Sequence, residues 1–303
     1  METTPIHPLT RDVNGNRVFM KRDDLFPFSF GGNKYRKALL YFEDLKEKGC
    51  DHVVTTGGGS SNHCRIVANM AAREGIGCSV VLSKKSPDAH NKQLMKLLGA
   101  DVRTVGKEAI RPAIDETLES LRADGRRPYF IANGGHGYLG TKAFADAYLE
   151  IVRQEADAPF DYLFFASGTG TTHAGLAAGE RLLNHAPRTV GISVVHPDEK
   201  GRALVAESAN EYLREQGATA VREKSLLFSD AYLKGGYGEY DEEILETIRE
   251  VFNADGVPLD PVYTGKAFYG MSRFLEEKGI SGRRILFLHT GGAPIFFDVV
   301  HAL

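Results

Sequence analysis

The sequence predicts an α/β fold built on mostly parallel β-sheets, and two observations support that class. Short apolar runs alternate with helix-length amphipathic segments along almost the whole chain of 303 residues. Apolar strands joined by helices are typical of parallel sheets that are covered on both faces. In addition, glycine-rich clusters follow several of the predicted strands, and such sheets bind ligands beyond the carboxyl ends of their strands.

The first predicted elements are a small hairpin and a long helix. Asn14-Gly15 stands in the middle of residues 13–18 and favours a hairpin turn. Helical spacing begins after Gly31-Gly32-Asn33 and continues to Gly49, a residue typical of helix ends. The apolar side of this helix consists of Leu39, Leu40, Phe42 and Leu45.

Seven strands and eight further helices are expected in the rest of the chain. The strands are predicted at 52–56, 78–82, 101–105, 128–132, 161–166, 189–195 and 285–289. The helices are predicted near 62–74, 87–98, 107–124, 138–155, 172–186, 199–216, 241–253 and 266–278. Periodicity alone leaves open whether these elements form one open sheet or two lobes.

Composition and charge exclude several classes of protein. Lys and Arg number 37 against 40 Asp and Glu, so the formal net charge is -3 and nucleic acid is not an expected partner. No apolar run reaches the roughly 18–20 residues of a membrane span, and no signal peptide is recognisable, which predicts a cytoplasmic protein. Cys50, Cys64 and Cys78 form no CxxC, so neither a disulfide framework nor a metal site is indicated.

An anion site is predicted in the loop of residues 167–172 (SGTGTT), which follows the strand at 161–166. Its glycines allow backbone N–H groups to turn inward, the next helix start contributes positive potential, and its hydroxyls are further donors. The alternative is an ordinary strand-to-helix turn with a threonine N-cap. The loop does not match GxGxxG and the chain contains no GxxxxGK[ST], so neither a Rossmann dinucleotide site nor a P-loop is supported.

Three other positions admit both a structural and a functional interpretation. Lys34 lies at a helix start, where its charge opposes the helix dipole. It is either a solvated lysine of the Lys34/Arg36/Lys37 cluster or a lysine that forms a Schiff base with a carbonyl cofactor. Ser61-Asn62 fits an N-cap pair. His289 ends an apolar strand, a position typical of a hydrogen-bonded core histidine.

Five motifs together resemble those of one family, the fold-type II pyridoxal-phosphate enzymes of the 1-aminocyclopropane-1-carboxylate deaminase/D-cysteine desulfhydrase group. The first is Lys21-Arg22-Asp23-Asp24 followed by Gly31-Gly32-Asn33-Lys34-Tyr35-Arg36-Lys37, and the second is Ser61-Asn62-His63-Cys64-Arg65. The third is the loop and helix start at Ala166–Gly175 (ASGTGTTHAG). The last two are Asp260–Lys266 (DPVYTGK) and Leu288–Pro294 (LHTGGAP). The five motifs occur in the same order as in the family and extend over most of the chain.

The resemblance implies a two-lobed α/β fold similar to that of the tryptophan synthase β-subunit, with mostly parallel sheets flanked by helices. The larger, cofactor-binding lobe would comprise residues 1–36 and 141–303, and the smaller α/β lobe, residues 37–140, would be inserted into it. The implied cofactor is pyridoxal 5′-phosphate, and the implied partner is a small amino-acid substrate. Members of the family are commonly homodimers, so a homodimer is expected.

The resemblance also implies roles for particular residues. Lys34 would be the Schiff-base lysine and the base for proton transfer, and Asn62 would lie near the cofactor's 3′-oxygen. The phosphate would be bound by the anion loop, which consists of Gly168, Thr169, Gly170, Thr171 and Thr172. Ser61 would meet the substrate carboxylate or assist proton handling. Tyr237 and Tyr263 would face the reacting substrate.

Two positions distinguish the branches of the family. The deaminase branch has Glu after the DPVY tyrosine, at the pyridine nitrogen, and Leu after the strand-end histidine. This chain has Thr264 and Thr290 there, which is the pattern of the desulfhydrase branch. A hydroxyl at Thr264 would donate to an unprotonated ring nitrogen and give a weaker electron sink than a carboxylate. The alternative is that Thr264 merely packs beside the cofactor.

The expected activity is therefore α,β-elimination on a β-substituted amino acid such as D-cysteine, which gives pyruvate, ammonia and the leaving group. Within the family, a 1-aminocyclopropane-1-carboxylate deaminase and a β-replacement synthase remain alternatives. A non-catalytic binding protein is disfavoured because Lys34, Ser61, Tyr237 and Tyr263 occur together. Two departures from the family pattern, Gly59-Ser60 and His136-Gly137, fall on loops expected to line the substrate pocket and leave the substrate's identity open.

Overall fold

The computed structural model describes residues 3–84, 89–154 and 158–303, and the chain packs as two compact units. The large unit comprises Met1–Asn33 and Thr141–Leu303, and the small unit comprises Lys34–Gly140. No helix in the described ranges combines the length and the apolar character that crossing a bilayer requires.

Ten strands and ten α-helices are found in the described residues. The strands are β1 (Ile6–Pro8), β2 (Arg17–Arg22), β3 (His52–Gly57), β4 (Gly77–Ser83), β5 (Asp101–Val105), β6 (Pro128–Ile131), β7 (Tyr162–Ser167), β8 (Arg188–Ser193), β9 (Leu227–Ser229) and β10 (Arg284–His289). The helices are α1 (Asn33–Glu47), α2 (Asn62–Glu74), α3 (His90–Leu97), α4 (Ile110–Ala123), α5 (Tyr138–Gln154), α6 (Thr171–Leu183), α7 (Asp198–Glu215), α8 (Glu242–Asp255), α9 (Thr264–Glu277) and α10 (Ala293–Val299).

The large unit is built on a six-stranded sheet with the order β1-β2-β10-β7-β8-β9. All its neighbouring strands are parallel except β1 and β2, and Leu286 of β10 pairs with Phe19 of β2. Its core includes Phe164, Ile192 and Phe287, none of which is exposed. Because β7 and β10 are adjacent and parallel, the loops that follow both strands leave the sheet at the same edge.

The small unit is built on a four-stranded parallel sheet with the order β5-β4-β3-β6. Part of its core lies between this sheet and α4, where Val54, Val81, Ala113 and Ile114 pack together. The central strand β4 is buried from Cys78 to Leu82, as expected where helices cover both faces of a sheet, whereas the edge strand β5 is mostly exposed. The α/β class with mostly parallel sheets is confirmed.

All seven predicted strands are present, with ends shifted by at most two residues. The predicted helices are present as well, although residues 87, 88 and 155 of two of them lie outside the described residues. At the predicted hairpin, Val13 and Asn16 form an antiparallel bridge, and Asn14 and Gly15 both have positive φ.

Three strands and one helix were not predicted from the sequence, and β2 is the instructive case. Its last residues, Lys21 and Arg22, make Arg17–Arg22 resemble an exposed segment, yet both are buried. Lys21 Nζ donates hydrogen bonds to the Thr4 carbonyl and to the side chains of Glu150 and Gln154. A buried ammonium is tolerated where such partners surround it, and two of them lie more than a hundred residues away in the sequence.

Candidate active site

The predicted anion loop joins β7 to α6 in the large unit. Gly170, at the N-cap of α6, has a φ of 84°, which glycine adopts without strain. The first N–H groups of an α-helix have no acceptor within the helix, so those of α6 are available to an anion at this end. Thr171 and Thr172 are buried. Ser167 Oγ is also buried, and among the described residues it has no hydrogen-bond partner. The loop can therefore donate several hydrogen bonds to one anion.

Two other glycine clusters meet beside this loop. The Asn33 backbone N–H donates to the Thr290 carbonyl at 3.0 Å, and Asn33 Nδ2 donates to Thr172 Oγ1 at 3.0 Å. The backbones approach so closely that a Cβ on Gly32 would lie 2.8 Å from the Thr290 oxygen. Asn33 thus ties Thr290 and the anion loop together. The sequence motif contained Asn33, but no role was predicted for it.

Lys34 follows Asn33 and is the first residue of the small unit. It is half-buried, and burial lowers the pKa of its amine to about 8. The interpretation of Lys34, Arg36 and Lys37 as a solvated cluster is wrong, because Arg36 and Lys37 are both 1% exposed. Burial and the two lysines also lower the pKa of His63 to about 3, so this histidine is neutral.

Lys37 lies one helical turn beyond Lys34 and is held by the loop after β6. Its Nζ donates to the Gly134 carbonyl at 3.2 Å. Burial and the charge of Lys34 lower its pKa well below the ordinary value. A Cβ on Gly135 would lie 3.2 Å from Lys37 Cδ, so this loop follows the lysine stem closely. The small unit therefore contains two lysines that lose their protons more readily than ordinary lysines do.

Ser61 and Asn62 stand at the start of α2, where the predicted N-cap is present. Ser61 Oγ accepts from the Cys64 backbone N–H at 3.2 Å. Asn62 Oδ1 accepts from Asn91 Nδ2 at 2.9 Å and from the Arg65 guanidinium at 3.4 Å. Because its oxygen is occupied, Asn62 presents its amide N–H groups. Asn91 was not found from the sequence.

Tyr237 and Tyr263 come together in the large unit as a hydroxyl pair. Their Oη atoms are 2.6 Å apart, and their rings meet edge to face. The loop that carries Tyr237 is held by Lys266, which is buried and donates to the Leu233 carbonyl at 2.7 Å and to the Gly236 carbonyl at 2.8 Å. Burial lowers the pKa of Lys266 to about 8. The sequence motif contained Lys266 without a predicted role.

Thr264 begins α9, and its side chain is fully engaged with Asp260. The Thr264 hydroxyl donates to Asp260 Oδ2 at 2.8 Å and accepts from the Asp260 backbone N–H at 2.8 Å. The donation of this hydroxyl to a ring nitrogen stays a prediction, and it would require the hydrogen bond to Asp260 to be given up, because a threonine hydroxyl has one proton. The sequence motif alone could not reveal this hydrogen bond, since Asp260 becomes the partner of Thr264 only through the turn before α9.

His289 is a hydrogen-bonded core histidine, as its strand-end position indicated. Its Nδ1 accepts from the Gly291 backbone N–H at 3.1 Å, and its Nε2 lies 3.1 Å from the Pro258 carbonyl. Both partners are satisfied when Nδ1 accepts and Nε2 donates. No group of three or more His, Cys, Asp or Glu side chains in the described ranges is arranged to hold a metal ion.

The two departures from the family pattern have structural consequences in the small unit. The Ser60 carbonyl accepts from Asn91 Nδ2 at 2.8 Å. Gly137 has a φ of 126°, and a Cβ there would lie 3.0 Å from Tyr41 Oη. Tyr41 Oη donates to the His136 carbonyl at 2.8 Å. The space next to His136-Gly137 is thus occupied by a tyrosine that a larger residue at 137 would displace.

Comparisons with known proteins identify the family of this chain. Residues 1–291 match the family described as pyridoxal-phosphate dependent enzyme. A putative 1-aminocyclopropane-1-carboxylate deaminase of Pyrococcus horikoshii is 37% identical over 299 residues, covering 95% of this chain and 89% of that protein. A D-cysteine desulfhydrase of Yersinia pestis is 35% identical over 308 residues, covering 97% and 92%.

A solved structure is similar over the full length of the chain. It is described as an ACC deaminase homologue, has a TM-score of 0.91 and 35% identity, and the match covers 100% of this chain and 93% of that one. Family, sequence and fold thus agree on one assignment. The chain belongs to the pyridoxal-phosphate dependent enzymes.

Proposed function

We propose that this enzyme catalyses α,β-elimination on a β-substituted amino acid such as D-cysteine. With D-cysteine and water, the products are pyruvate, ammonia and hydrogen sulfide. The proposal is supported by the relative named D-cysteine desulfhydrase, at 35% identity over nearly the whole chain, and by Thr264, which stands where the deaminase branch has Glu.

The residues described fit pyridoxal phosphate. The anion loop offers helix N–H groups and hydroxyls to the phosphate, and Ser167 Oγ is a buried hydroxyl with no partner in the described part of the chain. We propose that Gly168–Thr172 and Thr290 hold the phosphate side of the cofactor. Asn62 would donate to the 3′-oxygen, because its own oxygen is occupied by Asn91 and Arg65. Lys34 would hold the cofactor covalently.

When bound, pyridoxal phosphate supplies the electron sink that makes the α-proton of an amino acid acidic. Lys34 would remove that proton. An amine with a pKa of about 8 is neutral in ~10% of molecules at pH 7, far more than an ordinary lysine. A lowered pKa therefore makes Lys34 a competent base near neutral pH.

The hydroxyl groups would orient the substrate and handle its protons. Ser61 would donate its hydroxyl proton to the substrate carboxylate, from its fixed position at the start of α2. The hydroxyls of Tyr237 and Tyr263 are joined by one short hydrogen bond. We propose that this tyrosine pair protonates the departing β-substituent, which leaves more readily when protonated.

The neutral residue at 264 is the observation that carries the choice of reaction. A carboxylate in contact with the ring nitrogen would give a strong electron sink. Here the nearest carboxylate on that segment belongs to Asp260, which already receives four hydrogen bonds. A cofactor that withdraws electrons less strongly suffices for the loss of a thiolate, but it is poorly suited to opening a cyclopropane ring. The putative deaminases among the relatives keep 1-aminocyclopropane-1-carboxylate as the second candidate substrate.

The proposal is tested by measuring keto-acid release from D- and L-amino acids with β-thiol, β-chloro, β-sulfonate, β-amino and β-hydroxyl groups, alongside the cyclopropane substrate. We expect pyruvate and sulfide from D-cysteine, and loss of both in Lys34→Ala. Faster 2-oxobutanoate release from the cyclopropane substrate than pyruvate release from every β-substituted compound would contradict the proposal. Product that forms only when a second nucleophile is supplied would indicate β-replacement.

A cytoplasmic location and a homodimeric state stay predictions. Light scattering on the purified chain tests the second: a mass of about twice 33.2 kDa is expected, and a monomer at micromolar concentration would contradict it.

A further inference from the structure

A cavity of about 680 Å³ lies at the amino end of β8 and β9 in the large unit. Its walls are the last two turns of α6, the loop that leads into β8, and the segment of residues 219–227 that leads into β9. The anion loop, in contrast, follows the carboxyl end of β7. Because β7, β8 and β9 are parallel, the cavity and the anion loop lie at opposite edges of the sheet. The cavity is therefore separate from the site proposed for the cofactor.

Three arginines line this cavity: Arg181, Arg188 and Arg222. Arg188 Nε pairs with Glu180 Oε1 at 2.9 Å, while Glu180 Oε2 accepts from the backbone N–H and the hydroxyl of Thr189 at 2.8 and 2.6 Å. Both oxygens of this carboxylate are thus engaged at the start of β8. With the residues that the structure describes, neither Arg181 nor Arg222 forms an ion pair. The cavity wall therefore carries two positive charges that its own carboxylate does not balance.

The segment that leads into β9 forms an apolar wall, and two side chains of α7 hold it in place. Asn210 Oδ1 accepts from the Val221 backbone N–H at 2.8 Å, and Asn210 Nδ2 donates to the Val221 carbonyl at 3.1 Å. The Arg202 guanidinium donates to the Leu226 carbonyl. Leu226 is buried, and Val221 and Leu227 are half-buried. A ligand would meet this wall already formed, so its binding would not have to order the segment.

The charges, the size and the apolar wall of the cavity together indicate one class of ligand. Arginine presents planar N–H donors that match a phosphate or a carboxylate. Arg181 uses its Nε on the Thr219 carbonyl, at 3.2 Å, and keeps its terminal NH₂ groups as donors. A phosphate monoester carries a charge of about −1.5 to −2 at pH 7, which matches the two unbalanced positive charges. Sites for small organic molecules measure roughly 300–1,000 Å³, so this cavity also has room for an organic group on the phosphate.

We propose that this cavity binds a second ligand, an organic phosphate monoester of about nucleotide size. Arg181 and Arg222 would bind the phosphate, and Val221, Leu226 and Leu227 would contact the organic group. Arg188 would stay with Glu180. The inference goes beyond the proposed function, because neither the cofactor nor the elimination reaction requires a site at this edge of the sheet.

The test is isothermal titration calorimetry of the holoenzyme with adenosine 5′-monophosphate. In the holoenzyme the cofactor occupies its own site, so the nucleotide has to bind elsewhere, and the visible band of the cofactor should stay unchanged. We expect one nucleotide per chain, with an affinity that falls as salt is added, because the guanidinium groups are open to solvent. Inorganic phosphate and adenosine should each bind at least about tenfold more weakly, since each lacks one part of the contacts.

Matched variants assign the binding to this cavity. Arg181→Gln and Arg222→Gln should each weaken the binding of adenosine 5′-monophosphate about tenfold, because each removes a charged donor. Ala220→Trp places a large side chain in the lining without changing the charge and should weaken binding as well. Arg273→Gln removes an exposed arginine of α9 that pairs with Glu276, and it should leave the affinity unchanged. Thermal unfolding shows whether each variant is folded, and if one arginine variant is not, the other decides.

Four results would overturn the inference. The first is no binding of adenosine 5′-monophosphate to the holoenzyme at millimolar concentration. The second is loss of the visible band during the titration, since the nucleotide would then be displacing the cofactor. The third is equal affinity for inorganic phosphate and the nucleotide, which would indicate an adventitious ion only. The fourth is an unchanged affinity in a folded arginine variant.

Discussion

The side-chain amide of Asn33 donates a hydrogen bond to Thr172 Oγ1 over 3.0 Å, between two buried residues. Asn33 also donates its backbone N–H to the Thr290 carbonyl, so it holds the strand-end segment after β10 against the first turn of α6. The next residue in the chain is Lys34. The covalent and the ionic attachments that we propose for the cofactor are thus linked through a single asparagine.

Asn33→Ala is expected to weaken cofactor binding. The change removes one buried side-chain hydrogen bond and leaves Thr172 Oγ1 without its donor, which costs about 1.5 kcal/mol, or roughly tenfold in the dissociation constant. Titrating the apoprotein with pyridoxal phosphate and following the visible absorption band measures this. Asn210→Ala is a suitable control, because Asn210 bridges the Val221 backbone elsewhere in the large unit. Equal affinities for Asn33→Ala and wild type would show that this hydrogen bond does not organise the site.

The rate of covalent cofactor attachment is expected to depend on pH with a midpoint near 8. Only the neutral amine attacks a carbonyl, and burial lowers the pKa of Lys34 from its ordinary value to about 8. The rate should therefore rise as pH increases from 7 and level off above about 9, whereas an unperturbed lysine would still be gaining rate there. Stopped-flow mixing of apoprotein and cofactor across this range gives the profile. A rate still rising steeply at pH 10 would contradict the lowered pKa.

The lowered pKa of Lys34 also makes the free energy of unfolding depend on pH. The pKa of Lys34 is lower in the folded protein, so between about 8 and 10.5 the unfolded chain binds more protons. Stability therefore rises with pH across that window. Lys34→Met should raise the thermal midpoint of the apoprotein at pH 7, and the gain should disappear above about pH 10.5. Lys46→Met, at an exposed lysine, is the control. A gain that persists at high pH would point to packing instead.

Lys266→Met is expected to loosen the loop that carries Tyr237. The substitution removes both hydrogen bonds to the Leu233 and Gly236 carbonyls, and buried bonds from a charged donor contribute about 1.5–3 kcal/mol each before relaxation. We expect faster proteolytic cleavage near residues 233–238 and a fall in kcat/KM of at least about tenfold. Lys234→Met, on the same loop, removes exposed ion pairs to Asp241 and Glu243 and should have a small effect. Equal effects of the two substitutions would contradict the role of Lys266.

Seven of the strands, nine of the helices and the location of the anion loop could be predicted from the sequence, since each of these depends on local patterns. Apolar runs determined β7 and β10, and the glycines after them marked the sheet edge where loops converge. The burial of Lys21 in β2 could not be predicted in this way. Its partners, Glu150 and Gln154, lie 129 and 133 residues away, and only the assembled fold shows that a lysine there is satisfied.

Motifs located the candidate residues but did not reveal the direction of their hydrogen bonds. Thr264 was expected to donate to a ring nitrogen, yet its proton is given to Asp260. Asn62 was expected to lie near an oxygen of the cofactor, and its orientation depends on Asn91, which is 29 residues further along the chain. A residue type limits which hydrogen bonds are available, whereas the neighbours that the fold supplies decide which of them are made.

Asn91→Asp tests that dependence most directly. Asn91 is fully buried, and its Nδ2 donates to the Ser60 carbonyl at 2.8 Å and to Asn62 Oδ1 at 2.9 Å. The aspartate carboxylate has the same shape but no proton to donate to the Ser60 carbonyl or to Asn62 Oδ1. The Asn62 amide should therefore rotate, give an N–H to the new carboxylate and lose it as a donor to the cofactor. We expect a marked fall in the visible absorption band of the bound cofactor and a loss of about 3 kcal/mol in the free energy of unfolding.

Asn91→Ala separates the two effects of that substitution. It removes the donor without introducing an acceptor, so Asn62 is loosened but not forced to rotate. Arg65 still donates to Asn62 Oδ1 at 3.4 Å in this variant. We therefore expect an intermediate visible band in Asn91→Ala, between those of wild type and Asn91→Asp, and Asn62→Ala should lower the band to the level of Asn91→Asp. If Asn91→Asp folds, binds the cofactor and keeps the wild-type spectrum, then Asn91 does not orient Asn62, and the proposed contact of Asn62 with the 3′-oxygen loses its structural basis.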